Sequence, residues 1–341
     1  MGDELPIAPK QRDTMNINEI AKRAGVSRAT VSRYLNDGYV SQEKRELIAR
    51  VIKETGYVPS QRGQQLRTGK TGLVGVIMPK INSQSVSRMV AGISLVLSEK
   101  NYQTVLACTH NQSSREVDYL KVFSGKNRMD GIILISTVFS TRHIATIDTL
   151  DMPFVSLGQK LDGHCCVYQD DYHAMYDITR LVLPKSKAPA YIGVFEEDYA
   201  AGKLRHKGFL DACASCGVTP QPETQKIVDF SSDAGYFGAE QILDAMPNVD
   251  TVVCATDEIA FGVMMCMHEY GRRVPEDVQI TGMGDSLLSR IIHPSLTTAH
   301  LPFKTSGMLA AKMLLDRIAS KTDSPKQIEM DYDVYARNTM R

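Results

Sequence analysis

The sequence predicts an all-α helix-turn-helix head followed by an α/β body of two Rossmann-like lobes. Three observations carry that reading. Apolar residues recur at helical spacing between Ile17 and Ile52, broken at Gly25 and at Asn36-Asp37-Gly38. From Gly72 onward, short apolar strands alternate with amphipathic helical stretches, the pattern of parallel sheets with right-handed crossovers. That alternation runs twice, with a break near Asp171. A chain of 341 residues is long enough for two or three domains, and 43% apolar with 23% charged residues is ordinary for a globular protein.

In the head, Asn16 and Glu19 have N-cap and N3 spacing, so the first helix starts at Ile17. Ile17, Ile20, Ala21 and Ala24 fall on one of its faces. Gly25 is free to take positive φ at the turn, and Val26 tucks between the helices. Ser27 caps a second helix in which Val31 and Leu35 face inward. Arg28, Ala29, Ser32, Arg33 and Asn36 are left outside. Ser41 caps a third helix with a Leu47, Ile48, Val51 and Ile52 stripe, stopped by Gly56 with Pro59 beyond. Two short helices about a tight turn, the second carrying small, hydrogen-bonding and basic side chains, form the pattern that sets a helix in a DNA major groove.

Charge agrees with that placement. Residues 16–70 hold 11 Lys and Arg against 5 Asp and Glu, whereas residues 71–341 hold 26 against 31. Only the head is suited to a polyanion. The seven cysteines lie in or beside apolar segments, which fits a reducing cytoplasm. Residues 1–15 lack an apolar h-region and read as a disordered leader or an upstream start, with Met15 the natural one. No apolar run reaches the roughly 18 residues of a membrane span. A cytoplasmic, nucleoid-associated protein without membrane contact is expected.

The head resembles the DNA-binding domain of LacI/GalR family bacterial transcriptional regulators. The matching text is Ile20-Ala-Lys-Arg-Ala-Gly-Val-Ser27, Thr30-Val-Ser-Arg33, Tyr57-Val-Pro59 and Gln64-Gln-Leu66. The resemblance implies that Arg28 and Ala29 sit over base edges, Arg28 reaching a guanine. Thr30, Ser32, Arg33 and Asn36 then mostly hold phosphates, a base contact being the alternative for Arg33, with Ser27 at the helix start. In the family, residues 60–71 form a hinge whose helix folds on DNA, with a leucine wedged into the minor groove. Leu66 matches that leucine, flanked by Gln64. Arg62-Gly63 departs from the family's small or apolar helix formers, which implies a floppier hinge with stronger salt dependence.

The body opens with a buried strand, Leu73-Val-Gly-Val-Ile-Met78, and its first run continues through Thr104–Cys108 and Gly131–Ile135 to close at Phe154–Leu157. The second run holds strands at Ala190–Phe195, Gln225–Val228, Thr251–Cys254 and Val278–Thr281. The same pattern belongs to periplasmic sugar-binding proteins, and the LacI/GalR resemblance continues to about residue 337. Its markers are Asp130-Gly-Ile-Ile133, Arg205-His-Lys-Gly-Phe209, Ala255-Thr-Asp-Glu258, Val274-Pro-Glu-Asp-Val278 and Pro294-Ser-Leu-Thr-Thr298. After the leader over 1–15, it implies a head over 16–59 and a hinge over 60–71. The first lobe covers 72–170 and 303–322, and the second 171–302 and 323–341, with the final strand near Gln327–Ala336 in the second.

Ligands of open α/β sheets bind beyond the carboxyl ends of the strands. That rule selects Asn82, Ser83, Ser85, Ser87 and Arg88 after the first strand, then Gln159, Asp170 and Asp171. In the second run it selects Arg205, Thr256, Asp257 and Asp285. Arg205 matches a family arginine that clamps effector hydroxyls or a carboxylate. Asp257 matches a frequent family acid, with helix capping an equal role. Gly284 and Gly158 stand where the family often has aspartates. The serines and the Asp170-Asp171 pair favour a sugar, and Arg88 with Arg205 would suit a sugar phosphate.

Other signals are weaker. Cys213-Ala-Ser-Cys216 lacks a second pair for zinc and suits core packing. Gly282-Met-Gly-Asp285 lacks the dinucleotide glycine pattern, and no nucleotide, zinc-protease or hydrolase motif is present. No metal, cofactor or enzymatic activity is expected. The resemblance implies a homodimer on a palindromic double-stranded DNA operator, repressing carbohydrate uptake or catabolism genes under control of a sugar or sugar phosphate. The alternatives are a corepressor or phosphoprotein-dependent regulator, an α/β enzyme with a DNA-binding head, and a plain sugar-binding or transport protein.

Overall fold

In a computed structural model, the described residues are 15–36, 38–57, 70–125, 128–136, 138–320 and 324–341. They belong to two compact units that divide between Thr71 and Gly72.

The first unit holds α1 (Ile17–Arg23), α2 (Arg28–Tyr34) and α3 (Gln42–Thr55). The Asn16 side chain accepts the backbone N–H groups of Asn18 at 2.9 Å and Glu19 at 3.2 Å, and Glu19 accepts the Asn16 N–H at 2.7 Å. This reciprocal capping fixes where α1 begins. Gly25 takes φ +64° at the turn, and Ser27 accepts the Thr30 N–H at 3.2 Å to cap α2. Ile20, Ala21, Ala24, Val31, Ile48 and Val51 form the core. Two expectations change. Ser41 occupies the N-cap position without a side-chain cap bond. Leu47 is exposed, because two seven-residue helices cover only a narrow stripe of α3.

The second unit contains two six-stranded sheets. The first has the order β11-β5-β4-β3-β1-β2, from β1 (Leu73–Met78), β2 (Gln103–Cys108), β3 (Gly131–Ile135), β4 (Phe154–Gly158), β5 (Cys166–Gln169) and β11 (Gln327–Met330). The second has the order β12-β10-β9-β8-β6-β7, from β6 (Pro189–Gly193), β7 (Gln225–Ile227), β8 (Thr251–Cys254), β9 (Gln279–Met283), β10 (Thr297–His300) and β12 (Asp333–Tyr335). All pairings are parallel except β10 with β12. Central strands such as Gly131-Ile-Ile-Leu-Ile135 are buried on both faces, as helix-covered parallel sheets require.

The end of the chain corrects the expected boundary. Gln327–Met330 joins the first sheet, because Cys166 donates to the Lys326 carbonyl at 3.0 Å and Asp170 to the Met330 carbonyl at 3.2 Å. Only Asp333–Tyr335 joins the second sheet. Likewise, Leu157 does not close the first run, since β5 follows it. The helices Gln84–Glu99 and Phe303–Ser320 pack together through glycines. A β-carbon at Gly92 would fall on the Lys304 carbonyl oxygen, and one at Gly307 on that of Met89. This close approach sets Arg88, Met89 and Phe303 on one wall of a cleft between the sheets.

Candidate functional site

In the head, Arg28 and Ala29 lie exposed on the first turn of α2, and Arg33 is exposed one turn later. Thr30 and Ser32 are half-buried. Some hydrogen-bonding capacity is already used. The Ser27 and Thr30 hydroxyls pair at 2.9 Å, and the Asn36 amide donates back to the Ser32 carbonyl. Arg28 and Arg33 therefore present the freest polar groups of this helix. Arg62, Gln64 and Leu66 lie outside the described residues, as do Gly63 and Asp37.

In the body, a cavity of about 370 Å³ lies beyond the carboxyl ends of the strands. Of the ligand candidates, Asn82, Ser83, Ser85, Arg88, Gln159, Asp171, Arg205, Thr256 and Asp257 line it. Ser87, Asp170 and Asp285 do not. Ser87 is exposed and donates to the Ile81 carbonyl at 3.3 Å. Asp170 caps the helix Asp171–Val182 and accepts from His173. Asp285 is buried among Arg290, Arg337 at 2.5 Å and His300 at 3.0 Å. Burial alone would raise the Asp285 carboxyl, but these partners hold it down at about 2.

Inside the cavity, the two arginines are occupied. Arg205 gives Nε to Asp171 Oδ1 at 2.8 Å, Nη2 to the same oxygen at 2.6 Å, and Nη1 to the Ala255 carbonyl at 2.5 Å. Arg88 donates to the Gly284 carbonyl at 2.7 Å and lies 5.4 Å from the Phe303 ring centroid. Burial pushes the Arg88 pKa down, opposed by Asp285 and Asp257. Burial pushes Asp171 up, with Arg205 opposing it.

Two further candidates serve their own helix and loop. Thr256 accepts the Ile259 N–H at 3.2 Å as a cap. Asp257 accepts the Ser286 N–H at 2.7 Å and the Thr298 hydroxyl at 2.5 Å, while burial raises its pKa. Asp257 thus braces the loop that Arg88 grips.

Sequence reasoning missed Ser136, Gln169, Asp198, Phe230 and Phe303, all of which line the cavity. Asp198 accepts the Ala201 N–H at 2.9 Å and Gln159 Nε2 at 3.4 Å. Burial pushes its carboxyl up to about 6, opposed by the Ala201 N–H and Arg205. Its N-cap spacing to Ala201 was the available signal. It introduces a π-helical turn, Tyr199–Leu204, before the α-helix Arg205–Ser215, so Arg205 continues a helix rather than opening one. Gln169 is buried, and both of its amide atoms lack a hydrogen-bond partner, a state costing roughly 1–3 kcal/mol per group. No sequence pattern marks it. Cys213 is buried as expected, but Cys216 is exposed where the helix ends.

Residues 16–60 match the lacI family of bacterial regulatory proteins, and residues 185–340 match the periplasmic binding protein-like domain. The chain is 31% identical over 300 residues to the sucrose operon repressor of Staphylococcus xylosus, spanning 88% of this chain and 92% of that protein. It is 30% identical over 329 residues to the HTH-type transcriptional regulator RegA of Clostridium saccharobutylicum, spanning 95% and 98%. Among solved structures, a complex of the transcriptional regulator CelR with cellobiose has a TM-score of 0.73 at 27% identity, covering 95% of this chain and 99% of that one. The lac repressor dimer bound to operator and the anti-inducer ONPF has a TM-score of 0.86 at 21% identity, covering 96% and 99%, a likeness of fold. With head and two-lobed body both matched along nearly its whole length, the chain belongs to the lacI family of bacterial regulatory proteins.

Proposed function

We propose that this chain is a sequence-specific repressor of carbohydrate genes that binds a palindromic operator as a homodimer, with operator affinity set by a sugar held between its lobes. The observation that carries this reading is one chain holding both an exposed Arg28-Ala29 pair on α2 and a cavity of about 370 Å³ that mixes polar side chains with aromatic rings. Relatives named as a sucrose operon repressor and a cellobiose-bound regulator support the carbohydrate reading. Exposed Leu287, Leu288 and Ile291 on one short helix offer an apolar face for a second copy. Arg62 and Leu66 would serve the hinge.

The proposed ligand contacts are Asn82, Ser83, Ser85, Gln159 and the Arg205–Asp171 pair. Such control requires the sugar to favour one arrangement of the lobes over another. Fluorescence anisotropy on the full chain tests it, with a palindromic operator, scrambled DNA and a panel of sugars at fixed salt. Specific binding altered by at least one sugar is expected, and the direction of change separates inducer from corepressor. Equal binding to operator and scrambled DNA would refute it.

A further inference from the structure

We propose that Gln169 reads a ligand hydroxyl and, with Asp198 from the other lobe, selects an uncharged sugar over its phosphorylated or carboxylate forms. This inference rests on the cavity being the effector site. Gln169 closes β5, lines the cavity and is only 4% exposed. Its Oε1 and Nε2 are both buried without a partner. An amide offers an acceptor and two donors, and a hydroxyl can answer either. A phosphate or carboxylate group placed against this amide answers only the donors. Ser136, on the same wall, is already committed to Glu116 Oε2 at 2.9 Å and the Val138 carbonyl at 3.1 Å.

The charges of the cavity point the same way. Asp198 accepts the Ala201 N–H at 2.9 Å, the Ala200 N–H and the Gln159 amide at 3.4 Å, and its carboxylate can still accept a ligand hydroxyl while repelling an anion. The two arginines that would attract an anion are engaged, Arg205 by Asp171 and Ala255, Arg88 by the Gly284 carbonyl. Lys80 places its ammonium 5.7 Å from the Phe230 ring centroid. Phe230 and Phe303 give the cavity aromatic surface for the C–H face of a pyranose or furanose.

Calorimetric titration of the full chain tests this, using sucrose, glucose and fructose against glucose 6-phosphate, fructose 6-phosphate and gluconate. At least one neutral sugar is expected to bind, and the charged forms at least about tenfold more weakly. Gln169→Leu should lower affinity for that sugar by on the order of tenfold or more, because a hydroxyl loses its buried partner. The same variant should melt at or above the wild-type temperature, since it removes an unpaired buried amide. Asp198→Asn should narrow the gap between neutral and phosphorylated sugar.

A charged form binding as tightly as the neutral one would overturn the inference, as would wild-type affinity in Gln169→Leu. Binding of none of these sugars would overturn it together with the effector reading. The expected selectivity without any change in operator affinity would uphold Gln169 and overturn only the effector role.

Discussion

Arg205 shows that a charge can stand in a cavity without being available to an anionic ligand. Its guanidinium is neutralised by Asp171 and capped by a carbonyl, both buried. Removing one member of such a pair leaves an uncompensated buried charge. Arg205→Ala is therefore expected to lower stability by about 3–5 kcal/mol, read from denaturant midpoints. Asp198 behaves in the opposite sense. Its carboxyl is raised from 3.8 to about 6 by burial, so its stabilising protonated state is full below about pH 4 and lost as pH rises through 6. Asp198→Asn keeps an oxygen for the Ala201 cap. It is expected to be more stable than wild type by about 2–3 kcal/mol at pH 7, with the gain absent near pH 4. Thermal melts across that window check this. On the head, Arg28→Ala should cost about 1–3 kcal/mol of discrimination between operator variants. Binding measured at several salt concentrations separates that loss from a lost phosphate contact.

At the level of elements, local chemistry was legible and long-range choice was not. The α1 boundary followed from Asn16 and Glu19, and β1 and β3 from their unbroken apolar runs. Cys166-Val-Tyr-Gln169 was missed because four residues with a polar end carry little periodic signal. Gln327-Ile-Glu-Met330 was assigned to the wrong sheet because its exposed, polar edge pattern says nothing about which strand it will flank. The ligand candidates followed from the strand-end rule, which finds polar residues in loops. It passed over Gln169, which lines the cavity with its buried amide unpartnered, a property no sequence displays. The Gly92–Gly307 crossing gives a test at this scale. Gly307→Val forces a side chain onto the Met89 backbone and should destabilise by about 1–3 kcal/mol. Sugar affinity should fall with it, because the displaced helix carries Arg88. Calorimetry at a temperature where the variant remains folded separates the two effects.

For the whole body, polar contacts join the lobes across the cleft. Asp285, held at φ +48° by Arg290, Arg337 and His300, fixes the loop whose carbonyls accept Arg88 from the first lobe. Gln159 and Asp198 make a second crossing. A ligand bound between them would compete with or reinforce these contacts, which would give it the differential hold on lobe arrangement that the proposed control requires. The most direct measurement is the affinity of the full chain for a palindromic operator at about 0.15 M salt, with and without neutral sugars. The expected result is operator binding at least about a thousandfold tighter than to scrambled DNA. One sugar should shift it by roughly 5–150-fold, the usual range of coupling. Operator affinity indifferent to every sugar that binds the cavity would contradict the proposed control.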